Sequence, residues 1–214
     1  MPAQNEWYRR STWTPRDREE FDARLARSRG QHRKAQYLRL QAYHLHETGD
    51  ARLLPAALEL LDRLVSEFPD PLQLGLAFSL RADLLIDLGQ SDAAMAAYEN
   101  ALAARRSFPH FSDDAYLGYV ELVLALKRDT LYDAAQRILD EFPVGPFPIQ
   151  IFRDAGARAL LAAARGETDD AREWARTALE AAERSQSPFR YRRRLGLVRG
   201  ADPLTIQRLQ ELAR

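Results

Sequence analysis

The chain has 214 residues, 46% hydrophobic and 29% charged, a makeup that suits a soluble helical protein and excludes a disordered or collagen-like one. It has no cysteine, which excludes a disulfide framework and thiolate chemistry, and no apolar run of about 18 residues, which excludes a membrane-spanning helix. The formal net charge is zero but unevenly spread: residues 1–41 carry +5, residues 42–183 carry −11 and residues 184–214 carry +6.

The first ten residues, MPAQNEWYRR, lack the apolar core of a signal peptide, so a cytoplasmic location is expected. Trp7, Tyr8 and Trp13 follow closely on one another. Aromatic rings at the end of a helical array cover apolar surface more readily than they form a ligand cage, so this stretch reads as a cap. Thr14-Pro15 with Asp17 predicts a helix start, with Thr as N-cap and Pro in the first turn, and the helix runs to Arg29, stopped by Gly30 in a left-handed conformation.

Two helices with a glycine between them recur from here on. Take Gly89 as position 15 of a unit in Phe78–Leu102. Large residues Phe78, Leu85 and Tyr98 then occupy positions 4, 11 and 24, and small residues Ala82, Ala94 and Ala101 occupy 8, 20 and 27. Antiparallel helices approach closely only where one presents a small side chain to the ridge of the other. Upstream, helix His32–Thr48 ends at Gly49 and places Leu38, Ala42 and Leu45 at positions 4, 8 and 11. Its partner carries Ala57, Leu61, Leu64 and Pro69 at the spacings of 20, 24, 27 and 32, after three extra residues within Ala51–Pro55. Ser91 is the expected cap of the helix after Gly89.

The third unit is worn. Ser112-Asp113-Asp114 opens a helix to Arg128 with Leu117, Val120 and Leu124 on one stripe, and Thr130 caps a short helix ending at Phe142-Pro143. No glycine closes its first helix. The fourth unit is alanine-rich, with Ala155, Ala159, Ala162, Ala171, Ala175 and Ala178 at its packing positions, Gly166 at 15 and Thr168 as cap. Trp174 is one residue off the usual large position and is expected to lie under the tail, against Phe189, Tyr191 and Leu195. Asp202-Pro203 starts a final helix with Leu204, Leu209 and Leu212 on its apolar side.

This spacing resembles the tetratricopeptide (TPR) repeat. Glu6-Trp7-Tyr8-Arg9 with Trp13-Thr14, Ala35-Gln36-Tyr37-Leu38-Arg39-Leu40, and Phe189-Arg190-Tyr191 with Leu195-Gly196-Leu197-Val198 also resemble a group of bacterial TPR-containing proteins. The resemblance implies an all-α, right-handed superhelix as one domain, 1–214. Its repeats are 32–69, 71–107, 112–143 and 148–185, with caps at 1–31 and 186–214. It carries over no active site. It does imply a groove lined by positions 2, 5, 9, 12 and 13 of each first helix: Gln36, Arg39, Tyr43, His46 and Glu47, then Leu76, Ser79, Asp83, Ile86 and Asp87. The expected ligand-binding residues are Arg39, Tyr43, His46, Ser79 and Asp83, and the expected occupant is a segment of a partner protein. The two-carboxylate clamp of chaperone-binding TPRs needs Asn at position 9. Tyr43 and Asp83 stand there, so chaperone C-termini are rejected as the ligand.

Signals for chemistry are weak. His44 and His46 diverge by about 200° on a helix and cannot share an ion. His44 with Glu47 lacks a second pair, and His32 and His110 are isolated. Glu19-Glu20, Asp113-Asp114 and Asp169-Asp170 suit the positive starts of helices better than acid–base catalysis. No nucleophile-elbow, phosphate-loop, dinucleotide or zinc-protease motif occurs. The expectation is a protein with no catalytic residue, metal or cofactor. The alternative surface is basic: Arg24, Arg27, Arg29, Arg33 and Lys34 near one end, and Arg190, Arg192, Arg193 and Arg194 around Tyr191 at the other. Arginine beside aromatics fits phosphates and bases, so nucleic acid is the second candidate partner. Self-assembly through the acidic and basic regions is the third class, and oligomeric state stays open.

Overall fold

The computed structural model describes residues 6–109 and 113–214, and those residues form ten α-helices with no strand. His110 and Ser112, both named above, lie outside the described residues. The chain divides into two compact units, Met1–Ala115 and Tyr116–Arg214.

In the first unit, α1 (Pro15–Arg27) starts as its sequence requires: the Thr14 hydroxyl accepts from Asp17 N–H, and the Asp17 carboxylate accepts from Thr14 N–H. Burial alone would raise the Asp17 pKa. Hydrogen bonds from the Thr14 backbone and side chain, then from Thr12 and Arg10, overcome that and hold it at about 2. A carboxylate with a depressed folded-state pKa stabilises the fold above its unfolded pKa, and loses that contribution as pH falls through the folded value. The melting-temperature gap between wild type and Asp17→Asn is therefore expected to be open at pH 5 and to close toward pH 2.

α1 buries Phe21 and Leu25. Trp7 packs 5.1 Å from Phe21 and 4.9 Å from Tyr37, and Tyr8 stacks on Tyr37 at 4.7 Å, so the rings are spent on one another. Gln41, fully buried on α2 (Gln31–His46), exchanges two hydrogen bonds with the Arg10 backbone. Gly30 departs from its expected role. α1 ends at Arg27 with Ser28 as its cap, and Gly30, at φ 86°, opens α2. Glu20 also departs: beyond the first turn, it pairs with Arg10 and Arg16.

α2 packs on α3 (Leu54–Glu67), and α4 (Pro71–Asp87) packs on α5 (Ser91–Ser107). The three residues between α4 and α5 allow only a reversal of direction. Ala42, Ala57, Ala82, Ala94 and Ala101 are wholly buried, whereas Ala96 is exposed. Gly89, at φ 71°, makes the turn: its N–H reaches Ile86 O, and the next N–H reaches Leu85 O. Gln90 caps α5 without a side-chain bond, and Ser91 is its first helical residue, which displaces the expected cap by one.

The second unit takes up α6 (Ala115–Ala125) from its second residue, followed by α7 (Tyr132–Glu141), α8 (Pro148–Arg165), α9 (Thr168–Glu183) and α10 (Pro203–Leu212). Lys127 sits at the position that glycine fills elsewhere, at φ 51°, and with Arg128 repeats the hydrogen bonds of the Gly89 turn to Leu124 O and Val123 O. An L-residue pays a steric penalty there that glycine avoids. Lys127→Gly is expected to raise stability by about 0.5–1 kcal/mol in urea denaturation. Thr130 belongs to a short 3-10 turn rather than capping α7, and Thr168 is the first residue of α9 rather than its cap.

α8 and α9 meet through Ala155, Ala159, Ala175 and Ala178, and α10 covers them with the buried Leu209. The tail does not cover Trp174, which is 36% exposed, and Tyr191 of the tail is itself 91% exposed. Phe189 instead stacks on Phe147 at 5.2 Å, and Gly196 takes a hydrogen bond from Ile149 N–H. Gly196 has φ 68°, and a Cβ on it would lie 2.4 Å from the Phe147 ring, so the loop closes there only as glycine. Ring stacking thus holds the Phe189–Gly196 segment at the start of α8, while α10 packs on α9.

Candidate functional site

Arg39, Tyr43 and His46 on α2, with its cap residue Glu47, recur at helical spacing along one flank of the buried stripe of Ala35, Leu38, Ala42 and Leu45. On α4, Leu76, Ser79 and Asp83 recur in the same way, beside the buried Leu80. The two helices pack together, and these eight residues line one cleft of about 290 Å³. The five residues singled out from spacing, Arg39, Tyr43, His46, Ser79 and Asp83, are all among them.

Several are tethered by partners that spacing does not reveal. Arg39 Nε donates to Gln73 Oε1 at 2.8 Å, and Gln73 is buried. Burial lowers the Arg39 pKa, while its two terminal nitrogens find no protein acceptor among the described residues. Asp83 Oδ1 accepts from the Tyr98 hydroxyl at 2.6 Å. His46 Nε2 lies 2.7 Å from Asp87 Oδ2, and Asp87 itself does not line the cleft. Tyr43 is 40% exposed. Partial burial, then the charge of Glu47 and a hydrogen bond to it, keep the Tyr43 phenol protonated above its usual range. The cleft offers a flat ring, an outward guanidinium edge and two carboxylates. Gln36 and Ile86 do not line it.

Arg190, Arg192, Arg193 and Arg194 are exposed on turns beyond α9 and have no carboxylate partner among the described residues. Arg190 stacks over Tyr191 at 5.7 Å, and Ser187 N–H holds Arg193 O at 2.8 Å. Of the other basic group, Lys34 lies 5.2 Å over Phe68.

A second cleft, of about 420 Å³, escaped the sequence reading. It lies in the second unit and is lined by Leu124, Phe152, Gly156, Leu160 and Thr205 among others, with a two-bond Arg153–Glu121 pair at 2.7 and 2.6 Å. Arg153, Gly156 and Leu160 occupy positions 2, 5 and 9 of the fourth unit, so the register would have found them. Their blandness concealed them.

Among the described residues, no group of three His, Asp or Glu side chains is placed to hold a metal ion, and no helix is long and apolar enough to cross a membrane. The described residues define an all-helical protein in which α2 packs on α3, α4 on α5 and α8 on α9, with side-chain clefts lined by α2 with α4 and by α6 with α8. No family model matches the chain, and neither curated proteins nor solved structures give a significant match.

Proposed function

We propose that the chain is a non-catalytic scaffold of four TPR-like hairpins, built as a superhelix and working in a bacterial cytoplasm, that holds an extended segment of a partner protein on the α2–α4 face. The repeat reading is supported by position 15: Gly49, Gly89, Lys127 and Gly166 all stand there with positive φ. The binding reading is carried by the convergence of Arg39, Tyr43, His46, Ser79 and Asp83 on one cleft, several already oriented by tethers within the protein. Preorganised side chains lose little freedom on binding. Tyr43 supplies a flat contact, and Arg39 supplies donors for a carbonyl or carboxylate.

Selection of binding peptides from a random library on the purified protein tests this. Tyr43→Ala, at an exposed site, is expected to weaken the selected peptides at least tenfold. Replacing Arg190, Arg192, Arg193 and Arg194 together by Ala is expected to leave them unchanged. The opposite pattern would overturn the proposal.

One observation favours a second reading: four arginines that have no carboxylate partner among the described residues flank in sequence a Tyr191 that is 91% exposed, with Arg190 over its ring. That surface fits a single-stranded nucleic acid, through phosphate neutralisation and stacking. The four-arginine variant would then lose affinity for an oligonucleotide and flatten its salt dependence, whereas Tyr43→Ala would not.

A further inference from the structure

A third cleft, of about 570 Å³, opens in the second unit where the end of α7 meets α8 and α9. Asp154 lines it and is only 5% exposed. One of its oxygens, Oδ2, accepts from Arg158 Nε at 2.9 Å, while the other, Oδ1, is buried with no hydrogen-bond partner. Burial pushes the Asp154 carboxyl up, against the pull of Arg158. Each Arg158 nitrogen already has a partner: it also donates to Asp140 at 2.6 Å and to Leu139 O at 2.7 Å, and its guanidinium lies 5.1 Å over the Trp174 ring. It cannot turn to satisfy Oδ1 without giving these up.

Buried acceptors are nearly always paired, so an orphan in a cleft wall calls for a donor from outside the fold. The surroundings limit what carries that donor. Trp174 remains open to solvent, and Val144, 45% exposed, shares the lining with Phe142 and Ile151. An aromatic wall and aliphatic neighbours favour a flat apolar body. The Arg158 guanidinium disfavours a cation, and Asp140 with Asp154 disfavours an anion.

We propose that this cleft binds a neutral aryl group bearing an O–H or N–H donor, with its ring against Trp174 and its donor on Asp154 Oδ1. The ring comes from a small phenol-like molecule or from a tyrosine-like side chain, and the chemistry is shared. The site is independent of the α2–α4 face.

The test is a titration of the full-length protein with phenol and with toluene, followed by saturation-transfer NMR and by the Trp174 indole N–H signal, assigned by its loss in Trp174→Phe. Toluene is the more apolar ligand, so a merely greasy cleft ranks it first. Phenol is expected to bind at least tenfold tighter than toluene and to move the Trp174 signal. Asp154→Leu is expected to reverse the order. Should that variant not fold, Trp174→Ala, at an exposed site, is expected to weaken phenol at least fivefold. Toluene binding as tightly as phenol, phenol leaving the Trp174 signal unmoved, or benzylammonium binding tighter than phenol would each overturn the proposal. N-acetyl-tyrosinamide separates the sources. Binding comparable to phenol assigns the cleft to a polypeptide side chain, and exclusion assigns it to a small molecule; either upholds the chemistry.

Discussion

Arg105→Leu is expected to destabilise the protein by about 3–5 kcal/mol at pH 7. Arg105 is buried on α5, donates to Asp113 O at 2.7 Å and stands 3.7 Å from the Asp113 carboxylate, which is itself buried. Asp113 accepts from Ala115 N–H with Oδ1, and its Oδ2 has no hydrogen-bond partner. A Cβ on Gly75 would lie 3.0 Å from that oxygen, so the site has no slack. Removing the guanidinium leaves a buried charge uncompensated. Burial raises the Asp113 pKa, while the Ala115 bond and the Arg105 charge oppose it. With Arg105 gone, the folded protein takes up the proton at higher pH than the unfolded chain does. A carboxyl with a raised folded-state pKa makes stability fall as pH rises from the unfolded value through the folded one. The cost of Arg105→Leu in urea denaturation should therefore be smaller at pH 4 than at pH 7. Equal costs at both would show that Arg105 does not compensate the Asp113 charge.

Ala82→Leu and Ala94→Leu are each expected to cost about 1–3 kcal/mol, because both methyls lie fully buried where α4 meets α5 and extra carbons force the helices apart. Ala96→Leu, two residues along α5 on the exposed face, is expected to stay within about 0.5 kcal/mol of wild type. Thermal denaturation of the three variants decides the matter. Equal melting temperatures would remove the helix register on which the cleft residues were placed.

That register was legible because it is local. Side chains three and four residues apart share a helix face whatever the rest of the chain does. Hence Leu38, Ala42 and Leu45 are assigned inward, and Arg39, Tyr43 and His46 to the neighbouring, groove-facing flank. The Thr14–Asp17 start was legible for the same reason, since both partners lie within one turn. Where local signals compete, spacing alone does not decide. Gly30 can end one helix or begin the next, and only the position of Ser28 decides between them.

By itself, the sequence determined the helical class, the alanine seams, the glycine turns and the outward face of α2 and α4. Only the tertiary structure decided what those outward residues hold. Tyr98 reaches Asp83 across 15 positions and Arg39 reaches Gln73 across 34, and no periodicity encodes such pairs. It also decided that Trp174 stays open. The tail carries the expected rings, but Phe189 finds Phe147 and Gly196 locks the loop there. The difference is physical: helix formation and capping depend on neighbours within a turn, whereas side-chain partners across helices depend on which surfaces close packing brings together.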